Sequence, residues 1–291
     1  MHTCVNMNRP DSVGGTARRI LNAQLRLMQS NAERAARDHS IKAIHDLRLA
    51  VRRFRAALWV FGELMPDILA KRLRRRLLVL NRRLGPIRDA QVWLDLVRWT
   101  MRKRKARLPP GFDLCVKSAE ASCAVQLQAL ERILQSIPFR EAQECSSQVS
   151  SDQPPGPFLA AKLLRAYKPL CRLKNKPLAD LTAEKEHAFR RRCRRVRYLA
   201  EFTEPILGQP VQKLSRRLKR VANALGARHD AHVHARLLAE MTVPPDVLLL
   251  GVTCAKHEAQ QEFVEAWGEL TRPHFKKRVF KALQAAKRAG K

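Results

Sequence analysis

The chain has 291 residues, and its 57 lysines and arginines outnumber its 26 aspartates and glutamates, giving a formal net charge of +31. So large a surplus calls for an anionic partner, because a compact protein with this charge repels itself. The chain is 45% hydrophobic, which excludes a basic disordered tail, and its longest apolar run, residues 247–252, is too short to cross a bilayer. Its seven cysteines form no C-x-x-C pair, which is typical of reduced thiols. These features predict a folded, cytoplasmic protein with a basic surface and no membrane partner.

Apolar residues recur at helical spacing through almost the whole chain, and alternating strand patterns bounded by turn residues are absent. The predicted fold class is therefore all-α. In chain order, the expected helices cover residues 16–38, 40–64, 67–84, 89–106, 113–136, 158–172, 182–207, 210–225, 230–241, 246–270 and 273–288.

A polar segment separates these helices into two groups. Residues 144–157 are ECSSQVSSDQPPGP, and Pro154, Pro155 and Pro157 cannot continue a helix. The expected organisation is a disordered N-terminal segment (1–15), a first helical bundle half (16–140), a Ser/Pro-rich linker (141–157) and a second helical bundle half (158–288).

Two blocks of the first half recur in the second half. One block is a histidine with four arginines, and it recurs with an offset of 142 residues: His45, Arg48, Arg52, Arg53 and Arg55 match His187, Arg190, Arg194, Arg195 and Arg197. In the other block, Leu84, Gly85 and Asp89 recur 141 residues later as Leu225, Gly226 and Asp230. Two linked blocks in the same order are not expected by chance, even in a basic chain. The repeat predicts two related helical bundles packed about a pseudo-twofold axis.

The repeated block places its cations on one side of a helix. At about 100° per residue, His45, Arg48, Arg52 and Arg55 fall within a stripe about 80° wide, and Arg53 flanks it. An arginine donates bidentately to phosphate oxygens, and a histidine adds a donor that strengthens as pH falls. A single stripe of this kind is more often just the solvated face of a helix, but its duplication favours a shared polyanionic ligand. The predicted phosphate-binding residues are His45, Arg48, Arg52, Arg53, Arg55, Arg75, Arg76, Arg82, Arg83, His187, Arg190, Arg194, Arg195, Arg197, Arg216, Arg217, Lys219 and Arg220.

The second block is typical of a helix end. Gly85 would follow the last turn of one helix, Pro86 would open the next segment, and Asp89 could cap the following helix. Gly226 and Asp230 repeat this pattern. We therefore predict structural roles for these glycines and aspartates, with the aspartates acting as caps or as acceptors that orient nearby arginines.

The pattern His-x-x-Arg-x-x-x-Arg-Arg-x-Arg, followed about thirty residues later by Leu-Gly-x-x-Arg-Asp, resembles the CHAD domain, the conserved histidine α-helical domain. The resemblance covers roughly residues 16–288. It implies two antiparallel four-helix bundles with internal twofold symmetry around a basic central groove, binding of inorganic polyphosphate, and association with polyphosphate or polyhydroxyalkanoate granules. The chain departs from the family pattern at two positions: Arg194 stands where a lysine is frequent, and His229 stands where an arginine is expected before Asp230.

A metal site is one alternative, since His229, His232 and His234 lie near Asp230. Their counterparts in the first half are Arg88, Gln91 and Trp93, so this ligand set is absent from the repeat. We therefore expect neither a metal nor another cofactor.

Nonspecific nucleic-acid binding is the stronger alternative, because +31 attracts any polyphosphodiester. Aromatic residues are only 5% of the chain, however, so base-stacking platforms are scarce, and the arginine stripes carry almost no residues that read base edges. No Gly-rich phosphate loop, G-x-S-x-G or H-E-x-x-H motif is present, and the triphosphatase motif Glu-x-Glu-x-Lys found in some CHAD relatives is absent. The sequence therefore predicts a non-enzymatic polyphosphate-binding protein.

Overall fold

The computed structural model describes residues 12–103, 112–172, 183–239 and 246–289, and every regular element in these ranges is helical. The all-α prediction is confirmed. No helix in these ranges is both long and apolar enough to span a lipid bilayer. The α-helices in chain order are α1 (Val13–Asp38), α2 (Ile41–Phe61), α3 (Asp67–Lys103), α4 (Phe112–Gln128), α5 (Leu130–Gln135), α6 (Phe139–Ser147), α7 (Pro155–Cys171), α8 (Ala183–Leu207), α9 (Gln209–Ala239), α10 (Asp246–Thr271) and α11 (Pro273–Arg288).

The first helix begins three residues earlier than the sequence predicts. Ser12 caps it by accepting a hydrogen bond from the Gly15 amide at 3.1 Å, and the side chain of Val13 is fully buried. Residues 13–15 of the expected disordered segment are therefore helical, whereas residues 1–11 lie outside the described residues.

The predicted Ser/Pro-rich linker is partly helical and packs against the start of α1. Residues 139–147 form α6, which buries Cys145, and Val149 just beyond it is also buried. The amide of Gly14 donates to the carbonyl of Ser151 at 3.0 Å, and a Cβ at Gly14 would lie 2.8 Å from the Ser151 nitrogen. Only glycine fits this close approach. The polar composition predicted a linker, since composition carries no signal for this backbone pairing.

The helix breaks predicted at Gly85 and Gly226 are wrong. Helix α3 continues through Gly85 and Pro86, and α9 continues through Gly226. An interior proline costs about 3 kcal/mol in an isolated helix. Here the continuous helix buries both Leu84 and Ile87, which flank the proline, and this burial offsets the loss. Asp89 and Asp230 therefore lie inside helices and are not caps.

The two halves share one hydrophobic core. It contains fully buried side chains from both, among them Phe54 and Phe61 of α2 and Tyr167 of α7. A smaller cluster joins the C-terminal part of α3 to α4, α9 and α10 through Val97 and Leu248. Residues 141–157 therefore do not separate two independent cores. The pseudo-twofold relation between the halves stays a prediction.

Candidate anion-binding site

Helices α2, α3, α8 and α9 surround a cavity of about 580 Å³, which we call the basic basin. Among the described residues, six arginines and one lysine line it, against two aspartates. The basin therefore carries a large positive surplus within a small volume. Its lining residues are His45, Arg48, Leu49, Arg52, Asn81, Arg88, Asp89, His187, Arg190, Arg194, Arg197, Tyr198, Lys219, Ala222, Asn223, Gly226, Ala227, His229 and Asp230.

Core packing aims the cations of the first repeated block into the basin. On α2, Leu47, Val51 and Phe54 are fully buried, so the opposite side of the helix faces the cavity with Arg48 and Arg52. The basic stripe is thus the non-core side of an amphipathic helix.

Helix α8 repeats this arrangement from the other side of the basin. Cys193 and Val196 are buried in the core, while Arg190 and Arg194 face the cavity. Arg52 is close enough to both of these arginines to disfavour their charged forms. The two stripes therefore face each other, as expected if one ligand contacts both.

Burial and like charge both act against the cationic forms in the basin. Burial, then the neighbouring Arg52, lowers the pKa of Arg48 to about 10. Burial, then Arg190 and Arg52, lowers the pKa of Arg194 to about 9. The buried Nε donors of Arg52 and Arg190 have no hydrogen-bond acceptor among the described residues. A bound anion would supply both the missing charge and the missing acceptors.

Three histidines line the basin, and their protonation state affects the charge that it offers to an anion. Burial is the main cause that lowers the pKa of His45 and His187, and neighbouring arginines lower both further. Burial, then Arg190, lowers the pKa of His229 to about 4. These rings are therefore neutral at neutral pH in the free protein, and a bound anion would favour their protonation.

The two basin carboxylates lie among the arginines. Asp230 is 4.0 Å from a guanidinium nitrogen of Arg88. Burial raises the pKa of Asp89, and the charge of Arg48 opposes that rise while Asp230 adds to it. Neither aspartate caps a helix. Their placement agrees with the other predicted role, in which each carboxylate accepts from nearby arginines and orients them.

Arg53 and Arg197 share one carboxylate of the protein itself. Glu201 forms ion pairs with both, and its Oε1 lies 2.6 Å from the Nε of Arg197. Both arginines also lie against the ring of Tyr198, at 5.6 and 4.9 Å from its centroid. Arg53 lies outside the basin lining, and Arg197 lines it with its charge already paired. These contacts connect α2 to α8 at the edge of the basin.

The other predicted binding residues outside the lining fall into two groups. In the first group, burial, then Arg195 and Arg82, lowers the pKa of Arg55. These three arginines form a cationic group next to Arg52. The second group is bound to other parts of the protein: Arg76 pairs with Glu141, Arg217 donates to the carbonyl of Glu269 at 2.6 Å, and Arg220 pairs with the Glu269 carboxylate at 2.6 Å. The remaining predicted residues outside the lining, Arg75, Arg83 and Arg216, are exposed.

The histidines that suggested a metal site point in different directions. His229 lines the basin, His232 is exposed with its Nδ1 3.0 Å from the Arg228 carbonyl, and His234 is buried against Trp93. Across the part of the chain that the structure describes, no three histidine, cysteine, aspartate or glutamate side chains are grouped as metal ligands.

Some lining residues were not among those predicted from the sequence. Asn81 and Asn223 add one amide from each half, but their repeat counterparts are Ala222 and Arg82, so the repeat does not mark them. Arg88 also lines the basin, and its position in the Leu-Gly-x-x-Arg-Asp motif was a signal that could have identified it.

The fold and the site define an all-α protein with a cationic cavity between two pairs of helices. Comparison with family models identifies it further: the chain belongs to the CHAD domain family, whose model matches residues 19–239. The resemblance stated from the sequence is thereby confirmed.

Solved structures share this fold. The CHAD domain from the plant Ricinus communis is similar with a TM-score of 0.61 and 21% identity, over 97% of this chain and 94% of that one. PptA from Streptomyces chartreusis is similar with a TM-score of 0.61 and 17% identity, over 94% of this chain and 100% of that one. No curated protein sequence matches the chain.

Proposed function

We propose that this CHAD protein binds inorganic polyphosphate in the basic basin and does not act as an enzyme. The observation that carries the proposal is the pair of opposed arginine stripes, whose charges are crowded and whose buried Nε donors on Arg52 and Arg190 lack acceptors. A polyphosphate chain offers closely spaced anionic oxygens, which arginine contacts bidentately. Localisation to polyphosphate granules would follow from the same contacts.

The shape of the basin favours polyphosphate over nucleic acid. A cavity of about 580 Å³ enclosed by four helices accommodates a run of phosphates but not a duplex. Tyr198 is the one tyrosine, phenylalanine or tryptophan among the described residues of its lining; it is buried and lies against Arg53 and Arg197. Unstacked bases would therefore find no exposed ring of these three types there.

The carboxylates of the basin support a binding role. Asp89 and Asp230 lie beside arginines, where they partly offset the repulsion among cations. We propose that they space the arginines and take no part in proton transfer. Incubating the protein with labelled polyphosphate, with and without magnesium, and following chain length by gel electrophoresis tests this part of the proposal. Cleavage that is lost in Asp89→Asn would overturn it.

The test of binding is a competition between long-chain polyphosphate, triphosphate, duplex DNA and single-stranded RNA, at matched phosphate concentration and physiological salt. We expect long-chain polyphosphate to displace a labelled polyphosphate probe at the lowest concentration. Triphosphate should compete weakly per molecule, because a short chain cannot contact both stripes along their length. Stronger competition by either nucleic acid would overturn the proposal.

Two double variants locate the binding site. Arg48→Ala with Arg52→Ala removes two basin cations, whereas Arg132→Ala with Arg140→Ala removes two exposed arginines of α5 and α6 and serves as the charge-matched control. The basin variant should lose at least tenfold more affinity than the control. Equal losses would show that binding depends on net charge alone.

A further inference from the structure

The surface formed by α7 and α11 is a second place where positive charge is not neutralised. These two helices carry nine lysines and arginines, and neither contains an aspartate or glutamate. Lys162 alone among them pairs with a carboxylate, Glu63, at 3.1 Å. The other eight form no ion pair with the described residues. They are Arg165, Lys168, Lys276, Lys277, Arg278, Lys281, Lys287 and Arg288.

Several exposed cations elsewhere on the surface have local counterions. Arg220 pairs with two carboxylates of α10, Arg98 with Glu120 of α4, and Lys71 with Asp67 one turn earlier. The absence of carboxylates from α7 and α11 is thus a local property of this surface. It predicts an anionic partner distinct from the ligand of the basin.

A groove of about 540 Å³ runs between the two helices. Its floor is apolar, formed by Ala161, Leu164 and Phe280, and Phe280 stacks on the buried Tyr167 at 5.4 Å between ring centroids. Its rim carries the exposed side chains of Arg165 and Lys168 on α7 and of Lys287 and Arg288 on α11. The groove therefore combines an apolar floor with positive charge on both sides.

We propose that this groove binds an acidic amphipathic helix of a partner protein. The lining residues of each helix occur at spacings of three and four, so they form the parallel ridges between which a third helix packs. Residues 161–168 span about 10 Å at 1.5 Å per residue, so the contact covers about two turns. The partner needs apolar residues at positions i, i+4 and i+7, with glutamate or aspartate on both flanks.

The same observations disfavour a membrane or a bare polyanion as the occupant. The apolar side of α11 is already committed to the core, where Val279 and Leu283 are fully buried, so the helix has no apolar face to insert into lipid. A polyphosphate chain would use the rim but would leave the apolar floor without a partner. An acidic amphipathic helix satisfies both features.

The probe is a fluorescein-labelled 18-residue peptide with leucines at i, i+4 and i+7 and glutamates on both flanks. A scrambled peptide of the same composition is its control, and binding to the full-length protein is followed by fluorescence anisotropy at physiological salt. We expect the patterned peptide to bind at least tenfold more tightly than the scrambled one. Equal binding, or no binding by either, would overturn the proposal.

Charge reversal on the rim locates the peptide. Lys168→Glu with Lys287→Glu should weaken binding of the patterned peptide at least tenfold while polyphosphate affinity changes less than threefold. Both side chains are exposed, and circular dichroism checks that the variant is folded. Arg48→Ala with Arg52→Ala should show the reverse pattern, so failure of this proposal is distinguishable from failure of the basin assignment.

Two further outcomes would assign the surface to another class of ligand. In the first, the protein sediments with vesicles of phosphatidylcholine and phosphatidylserine, the rim variant does not, and peptide binding does not depend on the leucine pattern. The ligand of the groove would then be a lipid surface and not a helix. A large loss of polyphosphate affinity in the rim variant would make the surface an extension of the polyphosphate site. Either result would overturn the proposal.

Discussion

Two arginines one helical turn apart on α8 should respond to alanine substitution in opposite ways. Arg194 faces Arg52 and Arg190, and within the described part of the chain its Nε donates to the carbonyl of Arg190 alone, at 3.4 Å. Arg197 donates to the carboxylate of Glu201 at 2.6 Å, and both of these side chains are 12% exposed. We therefore expect Arg194→Ala to impair polyphosphate binding without loss of stability, and Arg197→Ala to reduce stability.

The magnitude of each effect follows from these contacts. A charge-assisted hydrogen bond contributes about 1.5–3 kcal/mol. Loss of about 2 kcal/mol on removal of Arg194 would weaken polyphosphate binding by about 30-fold. Burial, then repulsion by Arg190 and Arg52, lowers the pKa of Arg194 to about 9 in the free protein. The same substitution removes this buried and repelled charge, so the melting temperature should stay constant or rise slightly.

Removing Arg197 breaks an ion pair. Among the described residues it leaves Glu201 with Arg53 as its one charged partner, which should cost about 1.5–3 kcal/mol of unfolding free energy. At roughly 2–4 °C per kcal/mol for a chain of this size class, the melting temperature should fall by about 3–12 °C.

Thermal melting and anisotropy titration with labelled polyphosphate, performed on the same samples, separate the two effects. Arg194→Lys is the matched control, because it keeps the charge but loses the planar fork, and it should recover part of the affinity. If Arg194→Ala melted as early as Arg197→Ala and its folded fraction bound polyphosphate normally, Arg194 would be structural and the basin assignment would be wrong.

Three further predictions concern the same site. Polyphosphate affinity should fall steeply between 50 and 200 mM salt, as it does for proteins that bind nucleic-acid phosphates. The slope of log affinity against log salt should be shallower in Arg48→Ala with Arg52→Ala. A flat salt dependence in the wild type would contradict multiple contacts. Burial and nearby arginines lower the pKa of His45 and His187 in the free protein, and a bound anion raises it, so binding takes up protons and should strengthen from pH 7.5 to 5.5. His45→Gln with His187→Gln should flatten this profile in titrations at both pH values, and an unchanged profile would exclude these rings. Glu186→Gln should lower the unfolding free energy by about 2–4 kcal/mol in a denaturant titration, because Glu186 neutralises the buried Arg228 at 3.0 Å. An unchanged midpoint would contradict that role.

Helical periodicity predicted the local geometry of the site well. The spacing of His45, Arg48 and Arg52 placed them on one face of α2, and the structure directs all three into the basin. The reason is that the same period fixes the opposite, apolar face, which must enter the core. The sequence could not show that α2 faces α8, since that juxtaposition depends on packing between distant segments.

Local signals failed where burial competes with them. Gly85 and Pro86 are helix-ending residues by propensity, yet Leu84 and Ile87 beside them are buried, and α3 continues. Composition also suggested that residues 141–157 are a free linker, although Val149 is buried and its carbonyl accepts a hydrogen bond from Arg18 at 2.8 Å. Neither contact has a signature within a window of a few residues.

The repeat identified which arginines share a helix face but not which of them pair with a carboxylate. Arg52 and Arg53 are adjacent in the same block, yet one has an Nε without an acceptor and the other pairs with Glu201, which lies 148 residues further along the chain. A carboxylate that distant leaves no trace in the spacing of the arginines. The positive charge of a basic protein is therefore informative about ligands only after its internal ion pairs are known. By that criterion the basin between α2 and α8 and the face of α7 and α11 are two places where charge is available to a ligand, and each calls for its own anion.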